Sequence, residues 1–298
     1  MSSITKENIM YSFFHTISFN QLRSISNAAA ILLVAVLIVN TGDIHAKEVI
    51  PDRLKIALGG YTVIRSDTTM SLTEPNLGAG ISISPEDTLG LESKQTVLRL
   101  DGYYRFTKEH ALTFSVYSLR SDGNKTLETE FEWLDEDGNS ITVPVGANVD
   151  TSFDYDIFKL GYLWSFYHTD KIEMAFGAGL HVTRVAIGLR AESTGTDLSA
   201  RDVSTSLPLP VLSLGLIYSV TPKFSWHITS EAFALQFEEW DGIYTDNELG
   251  MEYRAFKNVG LGVALSSNAL KVTKKDSEEK FTFDNRISGV LIYAAAYF

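Results

Sequence analysis

The feature of this sequence that most constrains its fold is an alternation of apolar and polar side chains that recurs from residue 53 to the end of the chain. It is clear in "VLRLDGYYRF" (97–106), "FKLGYLWSF" (158–166) and "VGLGVALSSN" (259–268). A period of two residues is typical of β-strands whose two faces meet different environments. Helical periodicity is almost absent, so the sequence predicts an all-β fold.

The connections between these stretches alternate in length. Four are very short and span residues 107–110, 168–171, 221–223 and 257–258. Five longer polar or acidic connections lie between them, at 66–94, 121–150, 192–203, 239–244 and 275–280. This pattern predicts a closed antiparallel transmembrane β-barrel of about ten strands, within a range of about eight to twelve, with short periplasmic turns and long acidic extracellular loops. Strands 147–167 and 172–191 exceed what a bilayer requires, so we expect them to extend above it, with 128–133 in the same outer sheet.

Aromatic side chains collect beside the short turns. A ring of aromatic residues at one height is typical of the girdle that a barrel places at the lipid interface. The predicted girdle consists of Tyr104, Phe106, Trp164, Phe166, Tyr218, Phe224, Trp226, Tyr253 and Phe298. A soluble periplasmic β-sandwich or lipocalin-like barrel is the alternative, but it gives no reason for aromatics to gather beside one set of turns.

The N-terminal region has the layout of a secretory signal peptide. Arg23 precedes a 12-residue apolar run, Ala28 to Val39, and a small residue, Ala46, stands at the cut before Lys47, although Ile44 occupies a place where a smaller residue is usual. A membrane-spanning helix needs about 20 residues, so the run is short for an inner-membrane anchor, which is the alternative. We therefore predict that residues 1–46 are a signal peptide cleaved after Ala46, and that 47–298 form the barrel.

Composition excludes several classes of function. The net charge is −12, whereas a protein that binds nucleic acid needs a basic surface. The chain has no cysteine, which excludes disulfides, thiolate metal sites and cysteine nucleophiles.

The chain resembles the small bacterial outer-membrane β-barrels of the OmpA/OmpW-like porin-family superfamily over residues 53–298. The resemblance rests on the signal peptide, the alternation, the unequal connections and the terminal stretch "SGVLIYAAAYF", which ends at Phe298. Gly289 lies further from the end than is usual in such barrels. The resemblance implies a monomer in the outer membrane of a Gram-negative bacterium, in contact with outer-membrane lipid and lipopolysaccharide. It also implies that the last strand pairs with the first, and that Phe298 is presented to the barrel assembly machinery.

If the apolar faces meet lipid, the opposite faces point into the lumen. The predicted lumen-lining residues are Lys55, Arg65, Arg99, Asp101, Arg105, Lys159, Glu173, His227, Glu231, Glu252 and Arg254. Buried charges of both signs must pair or remain hydrated. Two functions follow: a structural or surface role with a lumen closed by salt bridges, or restricted porin-like passage of small solutes.

An outer-membrane enzyme, either a protease or a lipid A-modifying hydrolase with its site at the extracellular rim, is the alternative function. The sequence has no recognisable hydrolase motif, and no catalytic residue, cofactor or metal site is predicted. His110 and His168 fall in short turns, and His181 and His227 on strands. The acidic segment 135–146 lacks the spacing of a calcium loop. The other acidic residues around this segment are expected to bind divalent cations that lipopolysaccharide also binds.

Overall fold

The computed structural model describes residues 52–74, 79–92, 94–134, 140–193, 196–199, 203–237, 239–275 and 280–298. The predicted signal peptide (1–46) and its cleavage site lie outside the described residues, as does the tip of the acidic loop at 135–139.

Nearly all of the described chain is β-strand. The elements in chain order are β1 (Leu54–Glu74), β2 (Ala79–Ile83), α1 (Pro85–Leu89), β3 (Gln95–Arg105), β4 (His110–Thr126), β5 (Phe131–Leu134), β6 (Ser140–Val143), β7 (Asn148–His168), β8 (Ile172–Ser193), β9 (Thr196–Ser199), β10 (Val203–Thr221), β11 (Phe224–Phe237), β12 (Trp240–Phe256), β13 (Val259–Lys275) and β14 (Lys280–Tyr297). Ten long strands form an antiparallel ring in the order β1-β3-β4-β7-β8-β10-β11-β12-β13-β14. Within the described part of the chain, no helix has the length and apolar character to cross a membrane.

The ring closes between the last strand and the first, as predicted. β14 pairs antiparallel with β1, and Tyr297 lies opposite Lys55. The closure reaches the final residue, because the amide of Phe298 donates to the carbonyl of Leu54 at 2.9 Å and the amide of Arg53 donates to the carbonyl of Phe298 at 2.9 Å. Closure leaves no ring strand with an unpaired edge, which is the arrangement required of a sheet in lipid.

The four short turns join neighbouring strands at one end of the ring, as the sequence predicts. They connect β3 to β4, β7 to β8, β10 to β11 and β12 to β13. Bulges interrupt the register close to three of these turns, at Ser165/Tyr167, Ser219/Thr221 and Tyr253/Phe256. A bulge inserts one residue and increases the local twist, which suits the curved rim of a barrel.

The strands are longer than predicted at the other end of the ring. The predicted loops 66–94 and 121–150 are wrong in extent, because β1 continues to Glu74 and β4 to Thr126. The predicted loop 239–244 is also wrong, because β11 extends to Phe237 and β12 already begins at Trp240. The segment 128–133 was also placed incorrectly: β5 pairs with β6 in a separate two-stranded sheet and is not part of the barrel wall. Alternation continues through these polar extensions, and period two alone does not reveal where a strand leaves the membrane.

The two faces of the ring differ sharply. Side chains that point inward are buried, whereas the outer face carries large exposed apolar side chains near the short-turn end. This outer apolar belt includes Leu58, Leu98, Leu100, Val116, Phe158, Leu160, Leu180, Leu249, Leu261, Leu265 and Ile292. A water-facing barrel would show the opposite distribution, since exposed apolar patches of this size mark contact with lipid or another apolar surface.

A cap segment, residues 84–92, covers the mouth of the barrel at the end away from the short turns. It contains α1 and ends in Gly90, whose φ of 73° is the left-handed conformation that favours glycine after a helix. Leu89 is 2% exposed and packs with Leu127, Val149 and other apolar side chains of the upper wall. The cap is thus fixed to the wall by a small apolar core.

Candidate functional site

The lumen is the candidate functional site because it gathers charged side chains that few proteins bury. All but one of the predicted lumen residues lie on the inward face, and most of these form ion pairs with each other or with neighbours. The inward residues are Lys55, Arg99, Asp101, Arg105, Lys159, Glu173, His227, Glu231, Glu252 and Arg254.

Arg65 is the exception, and its placement in the lumen is wrong. Its side chain is 74% exposed and forms an ion pair with Asp67 on the outer face. The register of β1 shifts between Val63 and Arg65, so Ile64 is an extra residue in the strand. The bulge therefore turns every later side chain of β1 to the face opposite to the one that simple alternation assigns (its parity is reversed). No sequence pattern marks the bulge.

The level nearest the short turns is centred on Glu252 of β12. Lys55 of β1 donates to its carboxylate at 2.7 Å, and Tyr293 donates at 2.9 Å. Tyr297 donates to the second oxygen. Lys55 also lies 5.3 Å from the centroid of the Tyr293 ring, within the range of a cation–π contact. Three strands are thereby tied together through one carboxylate.

A second pair at this end spans the opposite side of the lumen. Arg105 of β3 donates from one terminal nitrogen to both carboxylate oxygens of Glu173 on β8, each at 2.8 Å. Ser165 of β7 donates to the same carboxylate at 2.5 Å. At the rim, Arg254 pairs with Asp52 at 2.5 Å. Charge-assisted bonds of this kind are stronger and more directional than neutral ones.

The middle level joins β3 to β12 through Arg99 and Glu248, whose nearest charged atoms are 2.9 Å apart. Arg99 also forms an ion pair with Asp101 at 3.0 Å. His227 of β11 lies 3.4 Å from the other oxygen of Glu248. The Arg99 guanidinium sits 5.3 Å from the centroid of the Tyr117 ring, so an aromatic side chain fills the remaining space.

Lys159 of β7 is the centre of the third level. Its ammonium group donates to Asp246 of β12 at 2.6 Å and to Glu231 of β11 at 2.8 Å. His181 of β8 approaches Glu231 at 3.4 Å. The three charged side chains are almost fully buried. Desolvation makes an isolated buried charge very costly, so a lysine shared by two carboxylates is stable only because the partners are in place.

Hydrogen bonds extend this level across the lumen. Asn268 of β13 donates to Asp246 at 3.1 Å and to the hydroxyl of Tyr244 at 2.7 Å. Tyr155 of β7 donates to Asn268 at 3.3 Å, and Tyr244 is 3.2 Å from a ring nitrogen of His181. The network therefore runs from β7 and β8 to β12 and β13 on the far wall. Polar networks of this kind fix a unique arrangement when each member has a partner.

An apolar and aromatic cluster packs among the charged levels and extends towards the mouth. It includes Tyr61, Val63, Leu119, Phe153, Ile157, Val185, Val211, Leu270, Phe283 and Ile287. Leu91 of the cap segment belongs to this cluster. Glu86 of the cap accepts a hydrogen bond from Thr68 at 2.8 Å, and the carbonyl of Glu92 accepts one from Ser121 at 2.9 Å. Described side chains therefore occupy the lumen at the charged levels, and the cap segment contacts the inward face of the wall near the mouth.

The sequence reasoning missed several members of the network. Asp246 and Glu248 share the parity of Glu252 along β12, so the alternation already used for Glu252 could have found them. Asn268 has the same relation to the inward positions of β13. Tyr155 alternates in phase with Lys159 along β7 and Tyr244 with Glu252 along β12, so the alternation indicated their inward position but not their hydrogen bonds.

The predicted girdle residues lie on the outer face near the short turns. Most are exposed, and three neighbouring pairs are in contact: Tyr104 with Phe106 at a centroid distance of 5.4 Å, Trp164 with Phe166 at 6.0 Å, and Phe224 with Trp226 at 5.8 Å. Tyr218 and Phe224 are half-buried.

His110 and His168 lie at the short-turn end, and His181 and His227 lie in the lumen. No set of three or more His, Asp or Glu side chains in the described ranges is arranged to hold a metal ion.

The fold is similar to that of solved outer-membrane barrels. The outer membrane protease OmpT from Escherichia coli superposes with a TM-score of 0.53 at 10% identity, over 85% of this chain and 99% of that protein. The Pseudomonas putida toluene transporter TodX gives 0.33 at 10% identity over 83% and 91%, and OprG from Pseudomonas aeruginosa gives 0.32 at 11% over 84% and 97%. At these identities the likeness concerns the fold alone. No protein-family model and no curated protein sequence matches the chain.

Proposed function

We propose that this protein is an outer-membrane β-barrel with a closed lumen, which has a structural or surface-binding role and does not conduct solutes. The observation that carries the proposal is the ion pairing across the lumen at three levels, from Lys55–Glu252 through Arg99–Glu248 to Lys159–Asp246. An ion or solute moving along the axis would have to break buried pairs whose partners lie three or four strands apart in the ring.

The outer apolar belt supports the membrane location. On β7 the outward residues from Phe158 to Phe166 are apolar or aromatic at every second position apart from the local bulge, and they are exposed. About 9–11 residues suffice for a strand to cross a bilayer. In the same environment we propose contact with lipopolysaccharide, assembly by the barrel machinery and a monomeric state.

The strands continue far beyond the belt, and this extension supports a surface role. Above Phe158, β7 continues with outward Asp156, Asp154, Ser152 and Asp150 to its start at Asn148. At about 3.3 Å per residue the strand runs roughly 30 Å beyond the belt, which corresponds to a wall about 25 Å high at the usual strand tilt. A barrel that needed only to anchor itself would not require this height, so we assign surface contacts to the extension.

Planar lipid bilayers test the proposal directly. Purified protein should insert without producing discrete conductance steps, whereas a general porin measured in the same bilayers should conduct. Insertion is verified by the heat-dependent electrophoretic mobility that folded barrels show. Reproducible unitary conductance from the wild-type protein would overturn the closed-lumen proposal in favour of restricted passage.

The described histidines give no support to a hydrolase at the extracellular rim. Such a site needs a general base beside the substrate. His110 and His168 lie at the short-turn end, and His181 and His227 are enclosed in the lumen. We therefore do not extend the proposal to catalysis.

A further inference from the structure

A groove of about 430 Å³ lies on the outer face of the barrel, across β11, β12, β13, β14 and β1. Large apolar side chains form its walls, among them Ile64, Leu249 and Leu265, which are 53%, 43% and 56% exposed. Its floor is formed where four neighbouring strands carry short polar side chains at one height: Ser230, Asn247, Ser267 and Ser288. We call this feature the outer groove.

The floor of the outer groove is a continuous polar row. Ser230 is paired in register with Asn247, Asn247 with Ser267, and Ser267 with Ser288. Ser230 donates to the side-chain oxygen of Asn247 at 2.8 Å, and Ser288 donates to Ser267 at 3.3 Å. Hydroxyl and amide groups at this position would be poorly satisfied against hydrocarbon alone. A ligand with both acyl and polar parts suits this floor better.

The outer groove lies at the upper edge of the apolar belt, towards the long-loop end. Below the polar row, the outward residues are Ile228, Leu249 and Leu265. From the height of the row upwards, the outer face of β1 and β14 is charged, beginning with Arg65, which pairs in register with Ser288 of the row. In a barrel placed in the outer membrane, the groove would therefore cross the boundary where the acyl chains of an outer-leaflet lipid meet its headgroup.

Cationic side chains border the groove at its upper edge. Arg65 and Arg286 each form an ion pair through Nε, with Asp67 and Asp284 respectively, yet the two side chains remain 74% and 67% exposed. Lys271 lies 3.7 Å from the same Asp284. Three cations thus share two carboxylates, which leaves a net positive charge. Guanidinium groups bind phosphate in a directional, often bidentate manner.

We propose that the outer groove binds one lipopolysaccharide molecule, with an acyl chain of lipid A against Leu249 and Leu265 and a lipid A phosphate at Arg65 and Arg286. The proposal rests on the proposed outer-membrane location. Lipopolysaccharide fits because it occupies the outer leaflet and combines three chemical parts. Its acyl chains match the apolar walls, its phosphates match the cations, and its hydroxyl-rich sugar matches the polar floor.

Two double variants test the two halves of the site. R65Q/R286Q removes the phosphate contacts, and S267L/S288L fills the groove with side chains that face outward and leave the lumen unchanged. Arg120→Gln is the matched control for charge, because Arg120 on β4 is also 74% exposed and lies beside an aspartate, Asp154. Ala294→Leu, on the belt of β14, controls for added apolar volume.

The measurement is lipopolysaccharide bound to the full barrel refolded in detergent, followed by native mass spectrometry, with phosphatidylglycerol as the second lipid. Wild type and both controls should bind lipopolysaccharide, and each double variant should bind at least about tenfold more weakly, since charged hydrogen bonds and buried apolar contacts are lost. Unchanged affinity in the double variants overturns the proposal, as does the absence of binding by wild type. Equal binding of phosphatidylglycerol would assign the groove to phospholipid instead.

Cell fractionation separates this proposal from the proposed function. Wild type absent from the outer-membrane fraction would contradict the membrane location itself. Wild type found there, with lipopolysaccharide affinities unaffected by the variants, would contradict only the groove.

Discussion

The ammonium group of Lys159 lies 2.6 Å from a carboxylate oxygen of Asp246, although the two residues belong to strands on different walls of the barrel and are 87 positions apart in the chain. Both side chains are almost completely buried. This contact crosses the lumen and links β7 to β12. It also makes the fold sensitive to the removal of one charge.

Lys159→Ala should destabilise the barrel by about 3–5 kcal/mol, because it leaves Asp246 and Glu231 buried without their cation. Chemical unfolding in lipid vesicles, followed by tryptophan fluorescence, measures the change. Lys223→Ala, in the exposed turn between β10 and β11, is the control and should have no measurable effect. Equal stability of the two variants would mean that water or ions compensate the two carboxylates.

Gly262→Ala should destabilise the protein by about 1–3 kcal/mol, which is the usual cost of overpacking. A methyl group at this position would overlap the ring of Tyr293, whose hydroxyl donates to Glu252 at 2.9 Å. Thermal unfolding in detergent would report the loss. Gly215→Ala is the matched inward-facing control, since its nearest contact would be the Ala175 methyl at 3.8 Å. A similar loss in both variants would show that inward glycines are needed for strand curvature in general.

Leu89→Asp should detach the cap segment without unfolding the barrel. Leu89 is 2% exposed among apolar side chains, and a carboxylate there would be desolvated without a partner. A Glu-specific protease should then cleave at Glu86 or Glu92 at least about tenfold faster, because cleavage follows the population of the open form. Asp87→Ala alters an exposed cap residue and should leave the rate unchanged. Equal rates for Leu89→Asp and wild type would show that the cap is held by its hydrogen bonds alone.

Phe298→Ser should reduce the amount of protein in the outer membrane while leaving the folded barrel nearly as stable as wild type, within about 0.5 kcal/mol. The side chain is 66% exposed, and the backbone bonds that close the ring would remain. Quantitative blotting of membrane fractions, together with unfolding of the purified protein, checks both statements. Ile292→Ser is the control, since it removes an equally exposed apolar side chain, 67%, from β14, the strand that precedes Phe298. Equal depletion of both variants would argue against a special role for the terminal residue.

Much of the fold could be predicted because its causes are local. Alternation determines which side chains share a face, and the face of Tyr293 and Tyr297 follows from parity along β14. The unequal connections determine the strand order, because antiparallel neighbours joined by short turns have little choice of partner. The closing pair of β14 with β1 follows because a barrel cannot leave an edge in lipid.

The outward placement of Arg65 could not be predicted, because a single bulge reverses parity and is set by how β1 twists against β14. The cap segment was likewise missed. Its place in the mouth depends on a close approach between Gly90 and Gly123, where a methyl group on Gly123 would lie 2.7 Å from the Gly90 carbonyl carbon. Such contacts join parts of the chain that carry no shared pattern.

By itself, the sequence determined an all-β barrel with two chemically distinct faces, a belt of apolar side chains and a charged interior. Only the tertiary structure decided which charges meet, so that Lys159 reaches Asp246 and Glu231, Arg99 reaches Glu248, and Lys55 reaches Glu252. The physical reason is that the face on which a side chain lies follows from the alternation of neighbouring residues along one strand. Pairing across a lumen depends instead on the tilt and stagger of the whole ring, which is fixed only when all ten strands have closed.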